Sequence, residues 1–280
     1  MKRIDISETI KRVDFPEKIW DWLDLFGDVV ATTQQEAIYQ EQNFLADTPY
    51  KKLLLCAINK DLSTLNTIYI LLRCELIHQA SSHIRLLCES LITLQYISMQ
   101  PDSRAGLFWG YADIEAYEIT SAILEWESGT ANPIHVERLK NFKDSISGKY
   151  EQAKNHYSFL NRKKRRKSFS NWCNKSISKQ AQECGRSFQS LYALVYKQLS
   201  AYIHGSAWSL RRQISYSRDH YQIDVMHNDV ASIVRTAIVV WTEWAKFCIG
   251  NLNWRLEKTI IDISYRLNEM DERHFPPKTI

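Results

Sequence analysis

The chain has 280 residues, 45% hydrophobic and 24% charged, with a net charge of +4. That is enough for one or two globular domains with a sizeable core, and it excludes a low-complexity chain. Eight Gly and six Pro leave long stretches without a breaker, which favours helices, and nine Trp with fourteen Tyr supply large side chains whose polar tips need partners.

The N-terminal MKRIDISETIKRVDF lacks the apolar core of a signal peptide. A first helix is expected near Pro16, where Pro suits the first turn, with WDWLDLF as its aromatic face. Gly27 is a candidate kink or end, and a second helical region closes near Asn43. From Pro49 to Gln100 neither Gly nor Pro occurs. One helix of that length would reach roughly 75 Å at about 1.5 Å per residue, so a turn is expected around Arg73 to Ile77. The next helix then runs from about His78 to Met99 and is ended by Pro101.

A helix follows to about Ser128, then a loop from Gly129 to Pro133, then a more polar helix, then the basic run RKKRRK in a loop. SISKQAQECG reads as a short helix capped by Gly185, and SFQSLYALVYKQLSAYIHG as a long apolar helix stopped by Gly205. ISYSRDHYQIDVM suits a small hairpin or an irregular loop. Asn228 or Asp229 can cap a helix through Phe247, and a last helix runs from about Trp254 to Met270. The most apolar window, VASIVRTAIVVWTEWAKFCIG, carries Arg235, Glu243 and Lys246, so it reads as a core helix and no membrane partner is expected.

The expected fold is all-α: a bundle of four or five core helices with peripheral ones. It is read as one domain, with residues 1–47 as an N-terminal helical extension, 48–250 as the core bundle and 251–280 as a C-terminal helix and tail. Six Cys without a C-x-x-C pair suggest buried free thiols in a reducing cytosol, and hence a cytoplasmic protein.

Two polar stripes interrupt this apolar chain. Tyr192, Tyr196, Ser200 and His204 recur every four residues beside an apolar face of Leu191, Leu194, Val195, Leu199 and Ile203. On an earlier helix, His78, Ser82, Arg85, Glu89 and Tyr96 follow helical spacing among aliphatic positions. A buried charge needs a partner, so the two stripes are expected to face one another, with Arg85 and Glu89 meeting Ser200, His204 and a tyrosine hydroxyl. Either they form an active or binding site, with His204 as acid/base group and Arg85 as anion stabiliser, or they form a satisfied network that sets helix register. A helix C-terminus favours the protonated imidazole, which suits His204 as a general acid.

The segment NWCNKSISKQAQECGRSFQSLYALVYKQLSAYIHGS, with Trp172, Ala181, Gly185, Tyr192, Tyr196, Ser200 and His204, resembles an uncharacterised family of bacterial helical proteins of unknown function. That family also carries an Arg-x-x-x-Glu helix, matched by Arg85 and Glu89, and the resemblance spans roughly residues 50–250. More distantly, the His at a helix end is similar to the HEPN helical bundles. That likeness implies a metal-independent ribonuclease of defence or toxin–antitoxin systems, often a homodimer. Those proteins carry an Arg, then four to six residues, then the His; the corresponding positions here are Leu199, Gln198 and Lys197, so Lys197, at the outer limit of the spacing, or Arg85 would supply the cation.

The run Arg162, Lys163, Lys164, Arg165, Arg166 and Lys167 is extended by Lys149, Lys154, Lys175 and Lys179. It is interleaved with Tyr157, Phe159, Phe169 and Trp172. Basic residues grip phosphates and rings stack on bases, so RNA contact is one reading and a solvated loop the other. No metal site and no cofactor-binding motif stands out; the loose group of His220, His227, Asp219 and Asp224 is the nearest approach. The sequence therefore points to a cytosolic RNA-binding protein, with cleavage assigned to His204, Arg85, Glu89, Ser200, Tyr196 and Lys197. The alternative is a non-catalytic module that binds a protein partner encoded nearby.

Overall fold

The computed structural model describes residues 17–41, 44–127, 133–160, 166–203, 214–217, 220–223 and 227–274. The fold is all-α. In chain order the helices are α1 (Glu17–Glu41), α2 (Pro49–Arg73), α3 (Ile77–Ser98), α4 (Pro101–Glu127) and α5 (Pro133–His156). Then come α6 (Ile177–Glu183), α7 (Arg186–Leu191), a π-helical turn (Tyr192–Tyr196), α8 (Lys197–Ile203), α9 (His227–Leu252) and α10 (Glu257–His274). Among the described residues, strands are confined to two antiparallel pairs, β1 (Ser158–Leu160) with β2 (Arg166–Ser168) and β3 (Ile214–Ser217) with β4 (His220–Ile223). No described helix is long and apolar enough to cross a membrane.

The break between α2 and α3 falls where the length argument puts it. Glu75 makes the turn with φ 57°, in a region glycine usually serves. Gly27, by contrast, does not end a helix: α1 runs through it. A Cβ there would meet the Tyr69 hydroxyl at 3.2 Å, so this glycine lets α2 come close. Asn228 and Asp229 lie inside the first turn of α9, which starts at His227 and runs on to Leu252. Gly185 takes φ 103° between α6 and α7, the backbone state that favours glycine at such a stop. α3 ends at Ser98, just before Pro101 as expected, and Pro101 opens α4, where its missing N–H costs little.

Contacts divide the chain into two compact units, the first of residues 1–45, 54–96 and 180–280, the second of 46–53 and 97–179. The first is built on apolar stripes. Along α2, Leu54, Ile58, Leu65, Ile68 and Leu72 are buried at helical spacing. They are joined by Trp22 and Phe26 of α1, Ile84 and Leu87 of α3, and Trp241 and Trp244 of α9. Both buried indoles find acceptors: Trp241 Nε1 donates to Thr33 Oγ1 and Trp244 Nε1 to Asp61 Oδ2, each at 2.9 Å. None of the six cysteines is in a disulfide, but only Cys88 and Cys248 are buried and Cys56 is exposed.

In the second unit α4 and α5 form a helical hairpin from which α5 buries no residue. Tyr117 and Tyr150 stack across it at 3.8 Å. The compact end gathers around Tyr157, whose hydroxyl donates to Leu107 O at 2.6 Å over Gly110. Its ring meets Tyr111 and Phe169 edge-on. The basic run was expected in a loop, but Arg166 and Lys167 lie in β2 opposite Leu160 and Phe159. The ladder continues the Phe169 N–H to Tyr157 O bond of 2.8 Å, which ties both chain ends into the ring cluster.

Candidate functional site

Within the first unit, one face of α3 looks onto the chain from α6 to α8. Arg85 Nε donates to Ser200 Oγ at 2.8 Å and Nη2 donates to Tyr196 Oη at 2.9 Å. The guanidinium carbon also lies 4.9 Å from the Tyr196 ring centre, a cation–π distance. One turn along α3, Glu89 Oε2 stands 3.6 Å from Arg85 Nη2. Between them, Cys88 is buried against the Tyr196 backbone, and burial pushes its thiol up to about 12, so it is inert as a nucleophile. Further along α3, the Cys184 thiol reaches Ile92 O at 3.9 Å.

The opposing segment of this contact is not a plain helix. Tyr192 to Tyr196 forms a π-helical turn between α7 and α8. Its wider turn keeps residues four apart closer to one line than an α-helix does, and the Tyr192 and Tyr196 rings stack at 5.3 Å with 21° between planes. The same widening rotates Leu194 outward: it is 65% exposed, although the α-helical pattern puts it on the apolar face with Leu191, Val195 and Leu199, which are buried. Such turns recur at functional sites because they re-aim side chains.

The chemistry of the cluster depends on which atoms are spent. The Arg85 side chain is 22% exposed and that of Glu89 36%, so the pair is neither sealed nor fully solvated. Ser200 Oγ and Tyr196 Oη act as acceptors towards Arg85, which leaves their own protons to be donated. Among the described residues neither hydroxyl donates a hydrogen bond, and Arg85 Nη1 has no acceptor. Three donors are thus uncommitted around one guanidinium, beside a single carboxylate, and each can serve an oxyanion.

The structure brings together Arg85, Glu89, Ser200 and Tyr196. Lys197 is exposed and takes no part in these hydrogen bonds. His204 lies outside the described residues, four positions beyond Ser200 in the chain. Of the basic run, Arg162 to Arg165 lie outside them too, Arg166 is placed by its backbone in β2, and Lys167 is exposed there. Trp172 is only 8% exposed and packs edge-on against Phe108 at 5.5 Å. Its ring is spent on the core of the second unit rather than offered to a base, and Tyr157 is buried likewise. Phe159, 39% exposed, is the ring of that group best able to stack. The side chains of His220, His227, Asp219 and Asp224 lie outside the described residues; within them, no group of three or more His, Cys, Asp or Glu could hold a metal ion.

One buried charge escaped the sequence reading. Asp61 is 1% exposed in the middle of the first unit, where its Oδ2 accepts from Trp244 Nε1 at 2.9 Å and Ser90 Oγ at 3.1 Å. Burial raises its pKa to about 6, against the lowering effect of those hydrogen bonds. The signal was the apolar period itself: residues 54, 58, 61, 65, 68 and 72 share one face of α2, and position 61 is its polar member.

Residues 51–221 match the pattern of a family of unknown function, DUF5677. The chain belongs to that family. The segment matched in DUF5677 contains Arg85, Glu89, the basic run, Tyr196, Ser200 and His204, so the residues that suggested an uncharacterised helical family lie inside it. No characterised protein and no solved structure matches the chain, and no comparison supports the likeness to HEPN bundles.

Proposed function

We propose that this DUF5677 protein is a cytosolic RNA-binding protein of the defence or stress-response kind, which holds a backbone phosphate at Arg85 and cleaves the strand without metal. The observation that carries the reading is the Arg85 guanidinium. It is positioned by two hydroxyls and about one-fifth exposed to solvent, with Nη1 and both hydroxyl protons uncommitted among the described residues. Phosphate oxygens are acceptors only, and a planar guanidinium with adjacent hydroxyls complements them. His204, one helical turn of sequence beyond Ser200, is the acid/base group of this proposal. The basic run, with Lys167 exposed, supplies the sequence-independent attraction for the strand. In this proposal the RNA 2′-hydroxyl gives its proton to His204 and attacks the adjacent phosphorus, the bond to the 5′-oxygen of the next nucleotide breaks, and that oxygen leaves as a hydroxyl with a proton from solvent; DNA of the same sequence lacks the 2′-hydroxyl and should survive.

The test is incubation of end-labelled RNA with purified protein in EDTA, wild type beside His204→Ala and Arg85→Gln. Cleavage by the wild type, lost in both folded variants, is the expected result. No cleavage and no retention of RNA by the wild type would overturn it. A second reading has its own observation: Arg85 already has three partners, as a clamp that fixes the register of α3 on the π turn and α8 would require. The protein would then be a non-catalytic interaction module.

A further inference from the structure

A cleft of about 390 Å³ opens in the first unit, lined by α1, Phe44, α2 and the chain where α9 ends. It involves none of the residues of the Arg85 cluster. Its volume falls in the range of small-molecule sites, roughly 300–1,000 Å³. The walls are apolar: Ala37 and Ile38 of α1, Phe44, Ile58 and Leu62 of α2, and Trp254. No lining residue is charged. Ile38 is 63% exposed and forms the solvent edge of the cleft.

The polar residues on the walls are Gln34, Gln40 and Asn59. Gln40 Nε2 donates to Glu36 Oε1 at 2.8 Å and to Asn253 O at 3.4 Å. A carboxylate and a carbonyl only accept, so this amide cannot be turned round, and Gln40 offers its Oε1. Glu36 is held in place as well, since Oε1 accepts from the Arg255 backbone N–H at 2.8 Å. Gln34, another lining residue, pairs amide to amide with Asn66 at 2.8 Å, and two amides can exchange donor and acceptor, so Gln40 alone fixes the sense of its contact. A ligand that meets Gln40 must therefore bring a hydrogen-bond donor. A ligand anion would find no cation among the lining residues.

We infer that this cleft binds a small uncharged molecule with an apolar ring or branched chain and one N–H or O–H donor, which Gln40 receives through its Oε1 atom. The site stands apart from RNA binding and does not depend on it.

Indole, 1-methylindole and indole-3-acetate separate shape, donor and charge as probes. Calorimetric titration of the full chain should give saturable binding of indole, at least fivefold weaker binding of 1-methylindole, and none of indole-3-acetate. Gln40→Leu should bring the first two affinities together. Ala37→Trp, which fills the cleft from α1, should abolish indole binding; should that variant not fold, Asn59→Trp fills it from an exposed position on α2. Failure of the wild type to bind indole would overturn the inference. So would equal affinity for indole and 1-methylindole, or undiminished binding by a folded cleft-filling variant.

Discussion

Arg85 and Asp61 are both charged residues on helices of the same unit, and they are treated in opposite ways. Asp61 is sealed at 1% exposure and meets two donors, Trp244 Nε1 and Ser90 Oγ. Every bond it makes is used to satisfy an indole or a hydroxyl that the core would otherwise leave stranded. Arg85 is about one-fifth exposed and meets hydroxyls that accept from it while keeping their own protons. A closed set of donors and acceptors is what a core needs. An open set with surplus donors at a solvent edge is what a ligand needs. The difference lies in satisfaction rather than in the presence of charge.

The largest effect expected from this contrast is on stability. Asp61→Ala strands the Trp244 N–H and the Ser90 hydroxyl and leaves a void, at a cost of about 2–4 kcal/mol. Arg85→Ala opens onto water that can replace it, at a cost of about 1 kcal/mol or less. Urea unfolding of the two variants at pH 5 measures both. Equal losses would break the contrast and make Arg85 a core clamp.

The next effect is its pH dependence. The folded pKa of Asp61, about 6, lies above the unfolded value of about 3.9. The folded state therefore holds the proton more tightly, and stability from this group is full below about pH 4, falls as pH rises to about 6, and is level above. Asp61→Asn keeps an acceptor for both donors and removes the charge. It should be more stable than wild type by about 1–3 kcal/mol at pH 7.5 and no different near pH 4. Thermal melts of the pair across that range give the difference directly; a gain independent of pH would rule out the carboxylate as its source.

These two residues also mark what could be read from the sequence. The Arg85 contact was legible because both of its sides are periodic: a polar stripe every four residues on one segment, an Arg and Glu one turn apart on another, and few other partners for buried charge. Asp61 was not singled out, since Asn59 and Lys60 beside it make a local polar cluster that hides its place on the apolar stripe of α2. The α2–α3 turn was forced by length alone. Gly27 misled because a glycine in a helix can serve a neighbouring helix, here the Tyr69 ring, as well as a stop. The π turn leaves no mark in composition, so the outward rotation of Leu194 was beyond an α-helical count. Arg166 and Lys167 in β2 were equally hidden: a three-residue charged strand has no alternation to show.

A subtler effect belongs to the guanidinium fork. Arg85→Lys keeps the charge but cannot span Ser200 and Tyr196 together. Stability should change by about 0.5–1 kcal/mol, within the usual reach of a partly exposed contact. RNA retention at low salt should weaken severalfold, by filter binding. A clamp without a ligand would show the first change and not the second.

Glu89 gives the smallest change in stability and the sharpest sign. Its carboxylate lies 3.6 Å from Arg85 Nη2 and is more than one-third exposed, so solvent screens the pair and its loss should cost only about 0.2–0.5 kcal/mol. The two readings of the cluster differ in the response they require. If Arg85 serves only to fix α3 against α8, Glu89→Gln loosens one partner and changes nothing else. If Arg85 receives a phosphate, Glu89 is the negative charge that the phosphate must approach, and its neutralisation strengthens binding by twofold to fivefold while the melting point falls slightly. A ligand site and a structural contact thus respond to one substitution with different pairs of signs. Because screening acts on the Glu89–phosphate repulsion as well, the gain should be greatest at low ionic strength and fade as the Debye length shrinks to about 8 Å near 0.15 M salt. A salt titration of RNA retention by wild type and Glu89→Gln therefore reads both the sign and its electrostatic origin.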